Sequence, residues 1–211
     1  MRRELINRVI SSLVLIPLTF FFVIKGSFFL IFFLIIFFII AVYEWFNMNK
    51  GNIFISYFGI VFLFLSFFSA FVVRENIGLY FFLLILVICI FTDIGGYLFG
   101  KTFKGPKLTK ISPNKTYSGV FGSFLISIFA SHIFIKFYEI EVLFTDKIFI
   151  LLVILISLVS QLGDLIISYF KRKTGIKDTG NILPGHGGLL DRIDGLIFVL
   201  PVVYLASLTL K

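Results

Sequence analysis

Long apolar runs alternate with short polar segments along the whole chain. Seven spans can be drawn from these runs, the first two of them short, since a helix of about 20 residues crosses the hydrocarbon core of a bilayer. The first two runs are separated only by Lys25, Gly26 and Ser27, which predicts a tight helical hairpin. The pattern therefore predicts an all-α fold, a polytopic transmembrane helical bundle of about seven spans. The seven runs are Val9–Ile24, Gly26–Tyr43, Ile53–Val73, Ile77–Phe99, Tyr117–Ile135, Ile148–Phe170 and Leu190–Leu210.

The composition agrees with a membrane protein and excludes an ordinary soluble domain. Apolar residues make up 59% of the 211 positions, charged residues make up 14%, and the mean hydropathy is +1.09. Soluble domains have about 45–50% apolar and about 25% charged residues. A soluble protein with a large core would also not repeat such long charge-free stretches. One cysteine and two histidines exclude an internal disulfide and a Cys/His zinc cluster.

Basic residues are concentrated in three polar segments, and this predicts the orientation in the membrane. With seven spans, all three segments lie on the side of the N-terminus. We therefore expect a cytoplasmic N-terminus and a location in the cell inner (cytoplasmic) membrane. Tyr43 and Trp45 are typical of an interfacial aromatic belt, with Glu44 at the level of the headgroups. The three basic sets are Arg2, Arg3 and Arg8; Lys101, Lys104, Lys107, Lys110 and Lys115; and Lys171, Arg172, Lys173, Lys177 and Arg192.

No internal repeat or low-complexity linker divides the chain. We therefore expect a single membrane domain over residues 1–211. Within it, residues 1–76 would provide N-terminal structural spans that face the lipid. Both large loops that contain glycine and proline fall within residues 77–211, which we expect to form the catalytic half.

The polar segment Ser168–Asp194 concentrates charges of both signs in a chain that otherwise excludes them. Ionisable groups near a membrane are costly and therefore indicate a functional site. Bases suit phosphate oxygens, and glycine-rich backbone offers amides to anions. Acids and bases together favour a metal–phosphate assembly over a simple anion pocket. The alternative to phosphate binding is that the bases follow the ordinary positive-inside distribution and contact anionic lipid. We prefer this alternative for Lys101, Lys104, Lys107 and Lys110.

Three aspartates are candidate ligands of a divalent cation. Asp164 lies near the cytoplasmic end of an apolar run, and Asp191 and Asp194 are three residues apart. If the segment LLDRIDG begins a helix, the last two carboxylates lie on one face. Mg²⁺ suits such oxygen ligands and completes its shell with water and substrate phosphates. The alternative is that Asp93 and Asp164 are acids tolerated at the interface.

Two segments are candidate phosphate-binding loops. The segment from Gly95 to Thr102 matches the GxxxxGK[ST] pattern, but it ends an apolar span and has no preceding strand, so we reject it. The segment SPNKTYSGVFG fits better, because it places Lys115, Thr116 and Ser118 where a helix begins. His186, in PGHGG, either decorates a turn or contacts a phosphate or a metal-bound water.

The combined motifs resemble the signature of the phosphatidate cytidylyltransferase (CDP-diacylglycerol synthase) family. Within Ser168–Asp194 the chain has S-x-x-K-R, then K-D-x-G, then P-G-H-G-G-x-x-D-R-x-D. Upstream segments agree: DIGGY from Asp93, SPNKT from Ser112 and SQLGDL from Ser160. The resemblance covers about Asp93 to Gly195, and the N-terminal spans match only in being hydrophobic.

The resemblance implies a phospholipid-biosynthesis enzyme that forms CDP-diacylglycerol and diphosphate from CTP and phosphatidate, with Mg²⁺ as cofactor. The partners would be CTP and the lipid in the bilayer, with no nucleic acid; a homodimer is left open. The implied metal ligands are Asp164 and Asp191, with Asp194 close by. The expected catalytic residues are Asp164, Asp191, Lys171 and Arg192. The expected substrate-binding residues are Ser112, Lys115, Thr116, Ser168, Arg172, Lys177, Asp178, His186, Gly187 and Gly188.

Other functions stay open at this point. Another CTP-dependent lipid enzyme, such as a polyprenol kinase or an archaeal-type CDP-lipid synthase, would share the need for cytidine and phosphate. A CDP-alcohol phosphotransferase is disfavoured because its paired DG…AR…G…D…D pattern is absent. A transporter would place ionisable residues near the middle of the bilayer in paired halves, whereas here they collect at one face.

Overall fold

The computed structural model of the chain describes residues 2–109, 111–140, 146–185 and 187–209. Within these ranges most of the chain is helical. A π-helical turn, Val73–Ile77, follows the third α-helix. The α-helices are α1 (Arg2–Lys25), α2 (Ser27–Met48), α3 (Ile53–Val72), α4 (Leu79–Phe103), α5 (Tyr117–Phe137), α6 (Asp146–Lys173), α7 (Leu190–Ile193) and α8 (Leu196–Thr209).

The predicted all-α membrane fold is confirmed. Across the described ranges, five helical segments are long and apolar enough to cross a membrane: α2, α3 with its π-helical turn, α4, α5 and α6. Shorter apolar helices cover Leu13–Lys25 and Leu196–Leu208. The exact number of spans and the cytoplasmic N-terminus stay predictions.

The last apolar run differs from the expectation of one continuous helix over Leu190–Leu210. It forms the short helix α7 and then α8, with a turn at Asp194 and Gly195 between them. The side chain of Asp194 accepts a hydrogen bond from the backbone amide of Gly195, at 2.9 Å. Such local bonds from aspartate compete with the hydrogen bonds of a continuous helix.

The chain divides into two compact units. The first comprises Met1–Leu79 and Phe170–Lys211, and the second comprises Tyr80–Tyr169. The predicted division into N-terminal spans and a catalytic half is a different, functional division, and it stays a prediction.

In the first unit, α1 and α2 form the predicted tight hairpin, with only Gly26 between them. Gly26 has a φ of +65°, a conformation that favours glycine. Arg74 closes the hairpin, because its guanidinium donates to the carbonyl oxygens of Val23, at 2.8 Å, and Ile24, at 2.9 Å. These carbonyls belong to the last turn of α1, where no intrahelical donor is available.

Trp45, which was expected with Tyr43 in an interfacial aromatic belt, has its ring inside the first unit. Its side chain is buried, whereas Tyr43 is exposed. The indole N–H donates to the carbonyl oxygens of Ile55 and Ser56, both at 3.2 Å. The ring lies directly against the backbone of Gly59, where a β-carbon would overlap it. Acceptors in the next helix and this close approach hold the ring inside.

In the second unit, α4 and α5 pack closely along glycines. A β-carbon on Gly95 would lie 2.5 Å from the carbonyl oxygen of Gly122, so Gly95 leaves no room for a side chain. Hydroxyl groups also join neighbouring helices. Thr92 in α4 donates to Ser157 in α6 at 2.9 Å, and Ser123 in α5 donates to the Thr92 carbonyl at 2.8 Å. Small residues and interhelical hydrogen bonds of this kind hold membrane helices together.

Candidate functional site

The candidate site residues of the first unit gather around the carboxylate of Asp191, in α7. One oxygen, Oδ1, accepts from the ammonium of Lys171 at 2.7 Å, and both side chains are largely buried. The other oxygen, Oδ2, accepts from the backbone amides of Thr179 at 2.8 Å and Gly188 at 3.0 Å. The Thr179 hydroxyl lies 3.1 Å from the same oxygen. Asp191 therefore ties the end of α6 to both ends of the glycine-rich loop before α7.

A second carboxylate, that of Glu44 in α2, contacts the same loop. It is 1% exposed, so the carboxylate is buried inside the first unit. Its Oε1 accepts from the amide of Leu189 and its Oε2 from the amide of Leu190, both at 2.9 Å. Oε2 also lies 3.0 Å from the hydroxyl of Thr179. The loop amides provide the hydrogen bonds that water would give at the membrane surface, so burial is tolerated.

The electrostatics of this cluster favour an ionised Asp191. Burial alone would raise the pKa of its carboxyl group. The hydrogen bond and charge of Lys171, with hydrogen bonds from the amides of Thr179 and Gly188, outweigh burial and hold the pKa of Asp191 below its ordinary value. At neutral pH the group is therefore a carboxylate that holds the Lys171 ammonium in place.

The glycines of the loop leave space for these contacts. A β-carbon on Gly188 would overlap the Thr179 hydroxyl and lie 2.6 Å from Glu44 Oε2. A β-carbon on Gly180 would lie 2.8 Å from Glu44 Oε1. Gly187 has a φ of +84°, and a β-carbon there would lie 3.1 Å from Asp191 Oδ2. The glycine-rich segment is thus required by the close approach of two carboxylates to backbone.

The candidate residues of the second unit gather around Asp164, in α6. The ammonium of Lys115 lies 2.5 Å from Asp164 Oδ2, and the hydroxyl of Ser168 donates to Oδ1 at 3.1 Å. Lys115 directly precedes Thr116, whose hydroxyl accepts from the Gly119 amide at 3.1 Å and caps α5. The prediction that a helix begins in SPNKTYSG is confirmed. The Asp164 and Lys115 side chains are 30% and 25% exposed, so solvent still reaches the pair.

The remaining predicted site residues are spread over the loops and the helices next to them. Arg172, Lys177, Asp178 and Arg192 are exposed in the first unit. Ser112 lies in the turn before α5, where its carbonyl accepts from the Lys115 amide at 3.0 Å. His186 lies outside the described residues. The roles assigned to all these residues stay predictions.

The rejection of the GxxxxGK[ST] match is confirmed by secondary structure. All of its residues, from Gly95 to Thr102, lie inside α4. Their backbone amides are used within the helix, so they do not form a phosphate-binding loop.

The predicted magnesium ligands were tested against the contacts that the structure gives them. Among the described residues, no three carboxylate, imidazole or thiol groups come together as a ligand set. Both oxygens of Asp191 accept hydrogen bonds from protein donors, and one oxygen of Asp194 accepts from the Gly195 amide. That Asp164, Asp191 and Asp194 bind Mg²⁺ stays a prediction.

Sequence reasoning missed two residues of the first-unit cluster, Glu44 and Thr179. One signal for Glu44 was available: it is the sole acidic residue between Glu4 and Glu75, in a strongly apolar region. A lone carboxylate in such a region indicates a specific partner. No comparable signal marked Thr179, because hydroxyl residues are ordinary in glycine-rich loops.

Comparison with known proteins defines the class to which this fold and these clusters belong. The sequence profile of the cytidylyltransferase family matches residues 49–210, which include both clusters except Glu44. The chain belongs to this family.

Individual relatives carry a more specific name. A protein of Rickettsia felis named phosphatidate cytidylyltransferase is 36% identical over 219 residues, covering 98% of this chain and 94% of the relative. A protein of the same name from Rickettsia conorii is 35% identical over 96% of this chain and 91% of its own length. One from Staphylococcus epidermidis is 42% identical over 64% of this chain. The match covers 52% of that relative, about half of its length. The resemblance to the phosphatidate cytidylyltransferase family is confirmed.

Proposed function

We propose that this chain transfers the cytidylyl group of CTP to phosphatidate, giving CDP-diacylglycerol and diphosphate for phospholipid biosynthesis. The observation that carries the proposal is the family match over residues 49–210, which contains the Asp191 and Asp164 clusters. The relatives named phosphatidate cytidylyltransferase support the lipid substrate. Long apolar helices support a reaction in which the acyl chains stay in the bilayer.

The chemistry needs positioning and charge neutralisation more than a strong base. A phosphate oxygen of the lipid attacks the α-phosphorus of CTP, and the bond to the β-phosphate oxygen breaks as diphosphate leaves. The second pKa of a phosphate monoester is about 6, so the nucleophile is already ionised at neutral pH. Both reactants are anions, and the main barrier is to hold them in line against their repulsion.

The bases of the first unit suit this task. Lys171 is held by the Asp191 carboxylate, whereas Arg172, in the last turn of α6, and Lys177, in the loop after it, have exposed side chains. A buried, paired ammonium with exposed bases nearby can orient one phosphate and neutralise the others by charge-assisted hydrogen bonds. We propose that these residues, with Arg192, bind the phosphates of the substrates. In the second unit, we propose that Lys115 and the capped start of α5 also bind substrate phosphates.

Magnesium is part of the proposal because a nucleoside triphosphate binds Mg²⁺ through its own phosphates, with one or two protein carboxylates. When bound, Mg²⁺ would neutralise phosphate charge; Asp164, Asp191 and Asp194 are its proposed ligands. We expect chelation of divalent cations to reduce turnover of the purified protein to the background, and added Mg²⁺ to restore it. Undiminished turnover in excess chelator would remove the cofactor from the account.

The position of a radioactive label in CTP tests the reaction class. Purified protein in vesicles that contain phosphatidate should transfer the α-phosphate label of CTP into a chloroform-soluble lipid. The γ-phosphate label should appear in diphosphate. A polyprenol-kinase reaction would instead place the γ-label in the lipid, and ion flux through vesicles without CTP turnover would support a transporter.

The location and assembly follow from the same proposal. The described helices make this a multi-pass membrane protein. We propose the cell inner membrane, with the basic loops on the cytoplasmic side, where CTP is made. A homodimer remains a proposal, and size measurement of the detergent-solubilised protein tests it.

A further inference from the structure

Glu44 is a buried ionisable group for which the proposed reaction gives no role. It lies five residues before the segment matched by the family profile, in an apolar helix with no other acidic residue. Yet its carboxylate is among the most buried side chains of the first unit. The ordinary explanation for a buried polar side chain is a structural role, and an experiment must distinguish that role from one in the reaction.

The contacts of Glu44 connect it directly to the Asp191 cluster. The Thr179 hydroxyl lies between two carboxylates, 3.0 Å from Glu44 Oε2 and 3.1 Å from Asp191 Oδ2. Thr179 also donates its backbone amide to Asp191, and the amide of Gly188 does the same. The next two amides, of Leu189 and Leu190, turn to Glu44. Consecutive backbone donors of one short segment are therefore divided between the two carboxylates.

This division fixes the position of Asp191 from both sides. Glu44 holds the backbone directly before Asp191, and Thr179 holds its carboxylate from the opposite end of the loop. Asp191 in turn binds Lys171 at 2.7 Å. Three successive contacts thus connect a helix of the N-terminal region to a base that the proposed reaction places on phosphate.

We propose that Glu44 is a positioning residue for cytidylyl transfer, acting through Thr179 and the Leu189 and Leu190 amides to set the orientation of Asp191 and Lys171. The inference rests on the proposed function, because it assigns Lys171 to the reacting phosphates. It gives α2 a part in the reaction beyond spanning the membrane. It also explains why Gly180 and Gly188 must lack side chains, since each lies against this carboxylate.

The test compares four variants of the purified full-length protein: Glu44→Gln, Thr179→Val, Thr179→Ser and Glu75→Gln. Glutamine keeps the volume of Glu44 but replaces one acceptor oxygen by a donor that faces an amide. Valine removes the Thr179 hydroxyl at nearly constant volume, and serine keeps it. Glu75→Gln makes the same chemical change at the α1–α2 hairpin, where Glu75 accepts from the Ser27 amide. For each variant, kcat and KM for CTP are measured per folded enzyme, together with the thermal unfolding midpoint.

We expect Glu44→Gln and Thr179→Val each to lower kcat by about tenfold or more, as losing a hydrogen bond to a charged group would. Serine at 179 should recover the kcat that valine loses, and Glu75→Gln should keep wild-type kcat. The double variant Glu44→Gln/Thr179→Val should lose clearly less kcat than the product of the two single losses, because both residues act on one network.

Wild-type kcat in Glu44→Gln, even with a lower unfolding midpoint, would show a purely structural role and overturn the inference. If Glu44→Gln yields no folded protein, the Thr179 pair decides: equal kcat for valine and serine overturns it. Failure of the proposed function is a separate result, because the wild-type protein itself would then form no CDP-lipid.

Discussion

Replacing Asp191 by asparagine should lower CDP-lipid formation by about 100-fold or more. The amide keeps the shape of the side chain but leaves the largely buried Lys171 ammonium without its carboxylate. Breaking one side of a buried ion pair costs about 3–5 kcal/mol. If the loss of the pair displaces Lys171 and raises the activation free energy by about 3 kcal/mol, the rate falls about 100-fold. Turnover is measured in membranes from cells that express equal amounts of each variant.

The matched control for this change is Asp146→Asn, at the exposed start of α6. It makes the same substitution outside both clusters and should keep wild-type turnover. If Asp191→Asn also turns over at the wild-type rate, Asp191 has no part in the reaction and Lys171 does not depend on it.

Replacing Asp164 by asparagine should also remove most activity, but for a different reason and with little effect on folding. The carbonyl oxygen of the new amide would still accept from the Ser168 hydroxyl, while the ion pair with Lys115 would be lost. Because the pair is partly exposed, it contributes at most about 1 kcal/mol to stability. Protein yield and the unfolding midpoint should therefore stay near wild type as CDP-lipid formation falls. This separation identifies a chemical role.

Asp146→Asn again provides the comparison, since it lies on the same helix as Asp164. Near-wild-type turnover of Asp164→Asn would take Asp164 and its partner Lys115 out of the proposed site. A large fall in protein yield would instead give the pair a structural role that its exposure does not predict.

Local patterns were enough to predict much of the fold. Apolar run lengths predict the long helices, and the short break around Gly26 between two runs marks the α1–α2 hairpin. The start of α5 was predictable because Thr116, a good N-cap residue, directly precedes it. These features depend on residues within a few positions of one another, and such interactions leave a signal in the sequence.

The parts that sequence reasoning missed depend on distant partners. Glu44 and Thr179 are 135 residues apart, and nothing local to either one indicates the other. The neighbours of Trp45 are aromatic and charged and indicated an interfacial position. The burial of its ring depends on Gly59 in the next helix, where a β-carbon would overlap the ring. Likewise, the pairing of Asp191 with Lys171 fixes a partner that spacing alone could not choose among several bases.

The most direct test of cytidylyl transfer follows the oxygen atoms of the lipid phosphate. Phosphatidate is prepared with ¹⁸O at its three non-ester phosphate oxygens and incubated with the purified protein, CTP and Mg²⁺, and both products are analysed by mass spectrometry. If the lipid phosphate attacks the α-phosphorus of CTP, CDP-diacylglycerol retains all three labels, and an equal amount of unlabelled diphosphate forms. Labelled diphosphate, or a lipid product without cytidine, would contradict the account.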